Sequence, residues 1–86
     1  MVTSGHYLAT SAGLRIMEQG GNAIDAAAAM CFCLNLLEPQ NCGIGGEAPT
    51  LIYSSKEQKV FAVSGLGWSP KEFSIEWCRK RGIDLI

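Results

Sequence analysis

The chain has one histidine, His6, which is the first candidate for catalysis. An imidazole two residues from Ser4 could act as a general base. Nothing in the spacing orients the ring, and the sequence shows no Ser-His-Asp order, no paired carboxylates and no metal-binding constellation. We therefore predict that His6 starts the first helix and makes local hydrogen bonds. We also predict that this chain contains no catalytic residue.

Four cysteines could serve as metal ligands or redox groups: Cys31, Cys33, Cys42 and Cys78. Zinc sites usually draw on C-x-x-C pairs, and this sequence has none. On a helix, Cys31 and Cys33 would also point in different directions. The sequence therefore predicts buried free thiols and no metal site.

Residues 43–46 (Gly-Ile-Gly-Gly) resemble a phosphate-binding loop only superficially. The run lacks the Gly-Lys-Ser/Thr ending of a P-loop and leads into a predicted strand. Phosphate is held by backbone amides at a helix N-terminus, which this position does not offer. We predict a tight turn in which backbone approaches backbone, and no cofactor.

The composition excludes several kinds of partner. The net charge is −1 and no basic stripe is present, so the sequence predicts no nucleic-acid partner. The longest apolar run, residues 26–34, is much shorter than the roughly 20 residues that span a bilayer, so we predict no membrane span. Charged residues make up only 17% of the chain, which is low for a small soluble unit and suggests that much of its surface faces other protein.

Hydrophobic periodicity and capping signals predict three helices. The first, near 7–19, ends at Gly20-Gly21 and has an apolar face made by Leu8, Ala12, Ile16 and Met17. The second, near 22–37, begins with Asn22 as N-cap and Asp25 in its first turn, and it ends before Pro39. The third, near 70–81, has Ser69 as predicted N-cap, followed by Pro70 and by Glu72 at its third position. Phe73 and Trp77 would share its inner face.

A β-hairpin is predicted near 50–64, with strands at 50–54 and 59–64 and a turn over 55–58. Both faces of the second strand are apolar, so we expect the sheet to be covered on both sides. The second helix is also apolar all round, since Asp25 and Asn35 are its only polar residues. Such a helix must be enclosed. We therefore interpret residues 1–86 as a single incomplete segment of a larger domain.

The most distinctive motif is GGNAIDAAA at residues 20–28. It resembles the G-G-N-A-[VI]-D-A-A motif of the γ-glutamyltransferase (γ-glutamyltranspeptidase, glutathione hydrolase) family. Further stretches agree with that family in order and spacing, at residues 1–9, 12–14 (AGL), 38–39 (EP) and 42–46 (CGIGG). The similarity runs to about residue 82 and corresponds to the beginning of the family's large subunit.

This resemblance implies an α/β (α+β) segment of an αββα sandwich of the N-terminal-nucleophile (Ntn) hydrolases. It further implies an enzyme that attacks an amide carbonyl, forms an acyl-enzyme and passes the acyl group to water or an amine. Typical substrates would be glutathione and other γ-glutamyl compounds. The nucleophilic threonine would lie in the small subunit, so the implied partners are that subunit and the remainder of the large one.

The loop after the second strand departs from the family pattern. Its sequence is SGLGWSP at residues 64–70, where family members carry D-G-R-E-[TM]-A-P with an arginine that binds the α-carboxylate of the γ-glutamyl group. Leu66 stands at that position, and in a branch with N-G-x-G-R-A-P the arginine would align with Trp68. The resemblance thus marks Leu66 and Trp68 as candidate substrate-binding residues. Trp68 could alternatively pack under the third helix.

Residues 46–49 (GEAP) also differ from the family's Gly-Gly-Gly-Phe, which leaves the path into the first strand open. A second function remains as an alternative for the whole chain. It could be a non-catalytic remnant that binds a partner protein through its apolar helix.

Overall fold

A computed structural model describes residues 1–83. Three helices and one hairpin follow in the order α1 (Tyr7–Glu18), α2 (Ala23–Leu37), β1 (Thr50–Ser54), β2 (Lys59–Val63) and α3 (Ile75–Lys80). The predicted mixture of helices and an antiparallel hairpin is confirmed.

Helix α1 begins where the sequence predicts. The Nδ1 atom of His6 accepts a hydrogen bond of 3.1 Å from the backbone N–H of Leu8, so the imidazole caps the helix. The Ser4 hydroxyl donates to the His6 carbonyl at 2.8 Å. At the other end, Gly20 has a φ of +94°, the left-handed conformation that commonly ends a helix.

Helices α1 and α2 pack closely through small residues. Ala9 and Ala26 are buried, and Gly13 is buried against Met30. The predicted apolar face of α1 is partly wrong, because Leu8 and Met17 are exposed. The interface uses the smallest side chains, since these let the two backbones approach closely.

The start of α2 follows its predicted capping chemistry. The side chain of Asn22 accepts hydrogen bonds from the backbone N–H groups of Ile24 and Asp25, both at 2.9 Å. The Asp25 carboxylate accepts one from the Asn22 N–H at 3.0 Å, which completes a capping box. Apart from Ala26, however, most of the helix surface is accessible to solvent. Ile24, Phe32 and Leu36 are exposed on it.

Strands β1 and β2 pair in antiparallel fashion, from Thr50 opposite Val63 to Ser54 opposite Lys59. The turn over residues 55–58 is confirmed, and Gln58 adopts a φ of +51° to close it. The expected cover on both faces is not provided by the described residues. Leu51, Tyr53, Val60 and Val63 are exposed.

The third helix is shorter than predicted, and its predicted start is wrong. Ser74 is the N-cap, with its hydroxyl accepting from the Trp77 N–H at 3.1 Å. Residues 70–73 form a turn instead, closed by a hydrogen bond of 2.9 Å from the Phe73 N–H to the Pro70 carbonyl. Ser74 has extended backbone angles, which separate this turn from α3. The prediction that Phe73 and Trp77 share an inner face of this helix is also wrong, because Phe73 precedes α3 and is exposed. The two rings still lie close together, with centroids 5.6 Å apart.

The described chain does not close around one core. Its radius of gyration is 17.6 Å, whereas a compact domain of this length has a radius of about 12 Å. The substantial contacts between elements are those of α1 with α2 and of β1 with β2. No helix within residues 1–83 has the length and hydropathy needed to cross a membrane.

Candidate functional site

The candidate substrate-binding residues lie in the loop that follows β2. Residues 64–70 have no regular secondary structure and connect the hairpin to the turn before α3. Leu66 is 49% exposed and the Trp68 side chain is fully exposed. Trp68 therefore does not pack under α3 in this structure. Both side chains are accessible to a ligand or to further protein.

The beginning of this loop is held against the segment that enters β1. The backbone N–H of Ala48 donates to the Gly65 carbonyl at 2.9 Å. These two residues lie two positions beyond the last strand pair, Thr50 and Val63, on both strands. The antiparallel register thus continues past the strand ends. This contact also defines the path into β1 that the altered sequence at residues 46–49 had left open.

The glycine-rich segment forms the predicted tight turn. The Gly46 N–H donates to the Gly43 carbonyl at 3.1 Å, and Gly45 has a φ of +86°. A positive φ at the third residue is the requirement of a type II turn. A Cβ on Gly46 would lie 3.1 Å from the Gly43 carbonyl oxygen, so backbone does approach backbone here.

A groove of about 380 Å³ lies between α2 and this turn. Its walls are mostly apolar and include Phe32 and Leu34 from α2 and Ile44 from the turn, with Asn35 and Glu47 as polar members. Leu66 and Trp68 do not line it. Among the described residues, the structure therefore does not bring the two candidate residues into the groove.

His6 and the four cysteines lie outside the loop at residues 64–70, although Cys31 and Cys42 line the groove. The Nδ1 of His6 is occupied as a helix cap, and the ring stacks on Tyr7 at a centroid distance of 4.9 Å. All four cysteines are free, but the prediction that they are buried is wrong, because Cys31 is exposed and the others are half-buried. Within residues 1–83, no three His, Cys, Asp or Glu side chains are grouped so that they could hold a metal ion.

The Ala48–Gly65 contact was missed at the sequence level, although a signal for it exists. Counting residue pairs outward from the turn at 55–58 places Ala48 opposite Gly65. A glycine at the end of a strand also indicates a bend or a close backbone approach. The groove had no such signal, because it depends on how the glycine turn folds back along α2.

Comparison with known proteins identifies relatives of the chain. A family model described as Gamma-glutamyltranspeptidase matches residues 9–83. The glutathione hydrolase-like YwrD proenzyme of Bacillus subtilis is 44% identical over 71 residues, which cover 83% of this chain and 14% of that protein. The glutathione hydrolase proenzyme of Bacillus subtilis subsp. natto is 46% identical over 70 residues, or 81% of this chain and 12% of the relative.

An acylase is also similar. The acylase ACY 1 proenzyme of Pseudomonas sp. (strain SE83) is 52% identical over 46 residues, which cover 54% of this chain and 8% of the acylase. The chain thus spans only a small part of the length of the curated relatives that it matches. The family match covers most of its described residues, and the chain belongs to the γ-glutamyltranspeptidase family.

Proposed function

We propose that this chain is the N-terminal segment of the large subunit of an Ntn amidohydrolase or acyltransferase. In the whole protein, α1, α2 and the hairpin would form part of an αββα sandwich. The protein would cleave a γ-glutamyl or related amide bond through an acyl-enzyme. The similarity to glutathione hydrolase and acylase proenzymes supports this proposal.

The observation that carries the proposal is the open surface of α2. Phe32 is 70% exposed and Leu36 is 82% exposed on a helix that has almost no polar residues. Burying one such side chain contributes about 1.5–3 kcal/mol, so covering this surface favours association with more protein. The relatives are several times longer than the chain and would supply that cover.

The catalytic groups would lie in the part of the protein that this segment joins. Acyl transfer in such an enzyme needs a nucleophile, a base and donors that stabilise the oxyanion. The threonine nucleophile and the oxyanion donors would come from the small subunit. The 86-residue chain would be inactive alone, and it would require no cofactor.

Leu66 and Trp68 would determine part of the substrate preference. A bidentate arginine–carboxylate pair contributes about 1.5–3 kcal/mol, and neither leucine nor tryptophan can replace its paired donors. We infer that the parent enzyme does not favour a γ-glutamyl donor, and that these side chains line a more apolar acyl pocket. Their exposure on the loop is compatible with contact to an acyl group.

The test is to express the complete reading frame that encodes this chain and to assay the purified protein. We expect cleavage into two subunits, with a new N-terminal threonine detected by mass spectrometry. We also expect turnover of an apolar acyl amide that exceeds turnover of a γ-glutamyl anilide. An uncleaved protein without amidase activity would contradict the proposed enzyme, whereas γ-glutamyl turnover comparable with that of other family members would contradict only the acyl preference.

The exposed apolar side of α2 also favours a second candidate, a non-catalytic remnant that binds a partner protein. The DNA sequence beyond the codon for residue 86 separates the two candidates. A continuation of several hundred residues with a Thr-Thr-His-like cleavage site supports the enzyme, and a stop codon supports the remnant.

A further inference from the structure

The contact between Ala48 and Gly65 can be made only by a glycine at position 65. Gly65 has a φ of +58°, a left-handed conformation that other residues rarely adopt. A Cβ added there would collide with the carbonyl oxygen of Ala48 and lie 3.2 Å from the nitrogen of Pro49. These are backbone atoms of the segment that enters β1, so they cannot move aside as a flexible side chain would.

The same junction sets where the following loop leaves the hairpin. The hydrogen bond from the Ala48 N–H to the Gly65 carbonyl continues the strand register two positions beyond the pair Thr50 and Val63. The left-handed turn at Gly65 then directs the chain out of the sheet. Leu66 is the next residue, and Trp68 follows two positions later. Trp68 is fully exposed, so the packing of its own side chain does not fix its place.

We propose that Gly65 is a positioning residue, which acts through its contact with Ala48 to hold Leu66 and Trp68 in place for the acyl part of an amide substrate. This inference rests on the proposed function and adds a residue that would not touch the substrate itself. The contact joins the loop after β2 to the segment before β1. The start of the loop is therefore anchored by a residue that precedes β1 in the chain.

The test compares two glycine-to-alanine variants of the full-length protein. G65A adds a methyl group where backbone atoms block it, and G82A adds one at a left-handed glycine (φ +70°) that has no neighbour within 4 Å among residues 1–83. Gly82 lies outside the loop, so G82A reproduces the backbone strain without the collision. We expect G65A to raise KM for the preferred amide about tenfold or more, because small displacements of positioning groups have large kinetic effects. Its kcat should change much less, and G82A should match the unsubstituted enzyme in both constants.

A second variant covers the case in which G65A does not fold. A48P removes the N–H donor of the junction and leaves Gly65 unchanged, so it should raise KM in the same way. The positioning role would be overturned if a folded G65A or A48P protein kept the KM of the unsubstituted enzyme, or if its kcat fell by as large a factor as its KM rose. It would also be overturned if G82A raised KM as much as G65A does. In each case the proposed activity of the enzyme would stand. If the unsubstituted full-length protein hydrolyses no amide, the proposed function and this inference both fail.

Discussion

Gly13 of α1 lies so close to Met30 of α2 that a Cβ at position 13 would come within 2.8 Å of both Cγ and Sδ of the methionine. The same Cβ would lie 3.1 Å from Cγ1 of Val2. Glycine in a helix normally costs stability relative to alanine, by about 1 kcal/mol. The close approach of the two helices explains its presence here. Ala9 of α1 and Ala26 of α2 are also buried.

We therefore expect G13A to destabilise the full-length protein. Overpacking a closely packed site costs about 1–3 kcal/mol, and the better helix propensity of alanine offsets about 1 kcal/mol of this. The predicted net loss is about 1 kcal/mol, measured as a lower urea midpoint. G43A is the control, because a Cβ at Gly43 meets no atom of the described part of the chain within 4 Å. In an M30A background the loss from G13A should shrink, and a G13A protein as stable as the unsubstituted one would refute the packing argument.

The elements that the sequence predicts well are those with local chemical causes. The capping box of Asn22 and Asp25 depends on residues three positions apart, so its signature is readable directly. The hairpin is defined by a polar turn over residues 55–58 between two apolar runs. In both cases neighbouring residues determine the geometry, and no distant contact is needed.

The features that were predicted wrongly depend on distant contacts or on competition between similar signals. Leu8 fits a helical apolar face, but the smaller Ala9 and Gly13 make the contact, because α2 comes too close for a large side chain. At α3, two serines offer N-caps, and the one at Ser74 is used. The substrate-binding role of Leu66 and Trp68 could be inferred only from the family pattern, because the residue types in this loop do not by themselves indicate a binding site.

The two serines before α3 allow a matched test of the corrected helix start. S74A should expose the Trp77 amide, whose N–H donates to the Ser74 hydroxyl at 3.1 Å. Loss of an N-cap costs about 1 kcal/mol, which corresponds to roughly fivefold faster hydrogen exchange of that amide. S69A should leave the exchange rate unchanged, because the helix does not begin there. Faster exchange in S69A, with no change in S74A, would instead support the helix start predicted from the sequence, with Ser69 as N-cap.

Phe32 provides a test of whether α2 is covered in the full-length protein. In the 86-residue chain its side chain is 70% exposed, so we expect the isolated chain to self-associate through α2. F32E should reduce this self-association, measured by analytical ultracentrifugation. In the full-length protein, the same change would bury an unpaired carboxylate, which is strongly unfavourable. We expect F32E to prevent folding and subunit cleavage there. K56E, in the exposed hairpin turn, adds the same group and should be tolerated in both proteins. Normal folding and cleavage of full-length F32E would show that α2 remains uncovered.

An arginine at position 66 tests whether the loop after β2 determines substrate choice. If Leu66 stands where the carboxylate-binding arginine is expected, L66R in the full-length enzyme should create a bidentate partner for a γ-glutamyl α-carboxylate. A gain of about 1.5–3 kcal/mol corresponds to a fall in KM for a γ-glutamyl anilide of about 10- to 100-fold. L66K is the matched control, because lysine supplies the charge without the paired donors and should recover much less.

W68R separates the two possible alignments of this loop. Only the variant that restores the arginine at the correct backbone position should gain γ-glutamyl affinity, because the planar guanidinium must meet both carboxylate oxygens. A gain in W68R alone would assign the carboxylate site to position 68 and leave Leu66 as an apolar wall. No gain in either variant, with both proteins folded and active on an apolar acyl amide, would mean that this loop does not contact the α-carboxylate. The proposed acyl pocket at Leu66 and Trp68 would then be wrong, while the assignment of the chain to its family would stand.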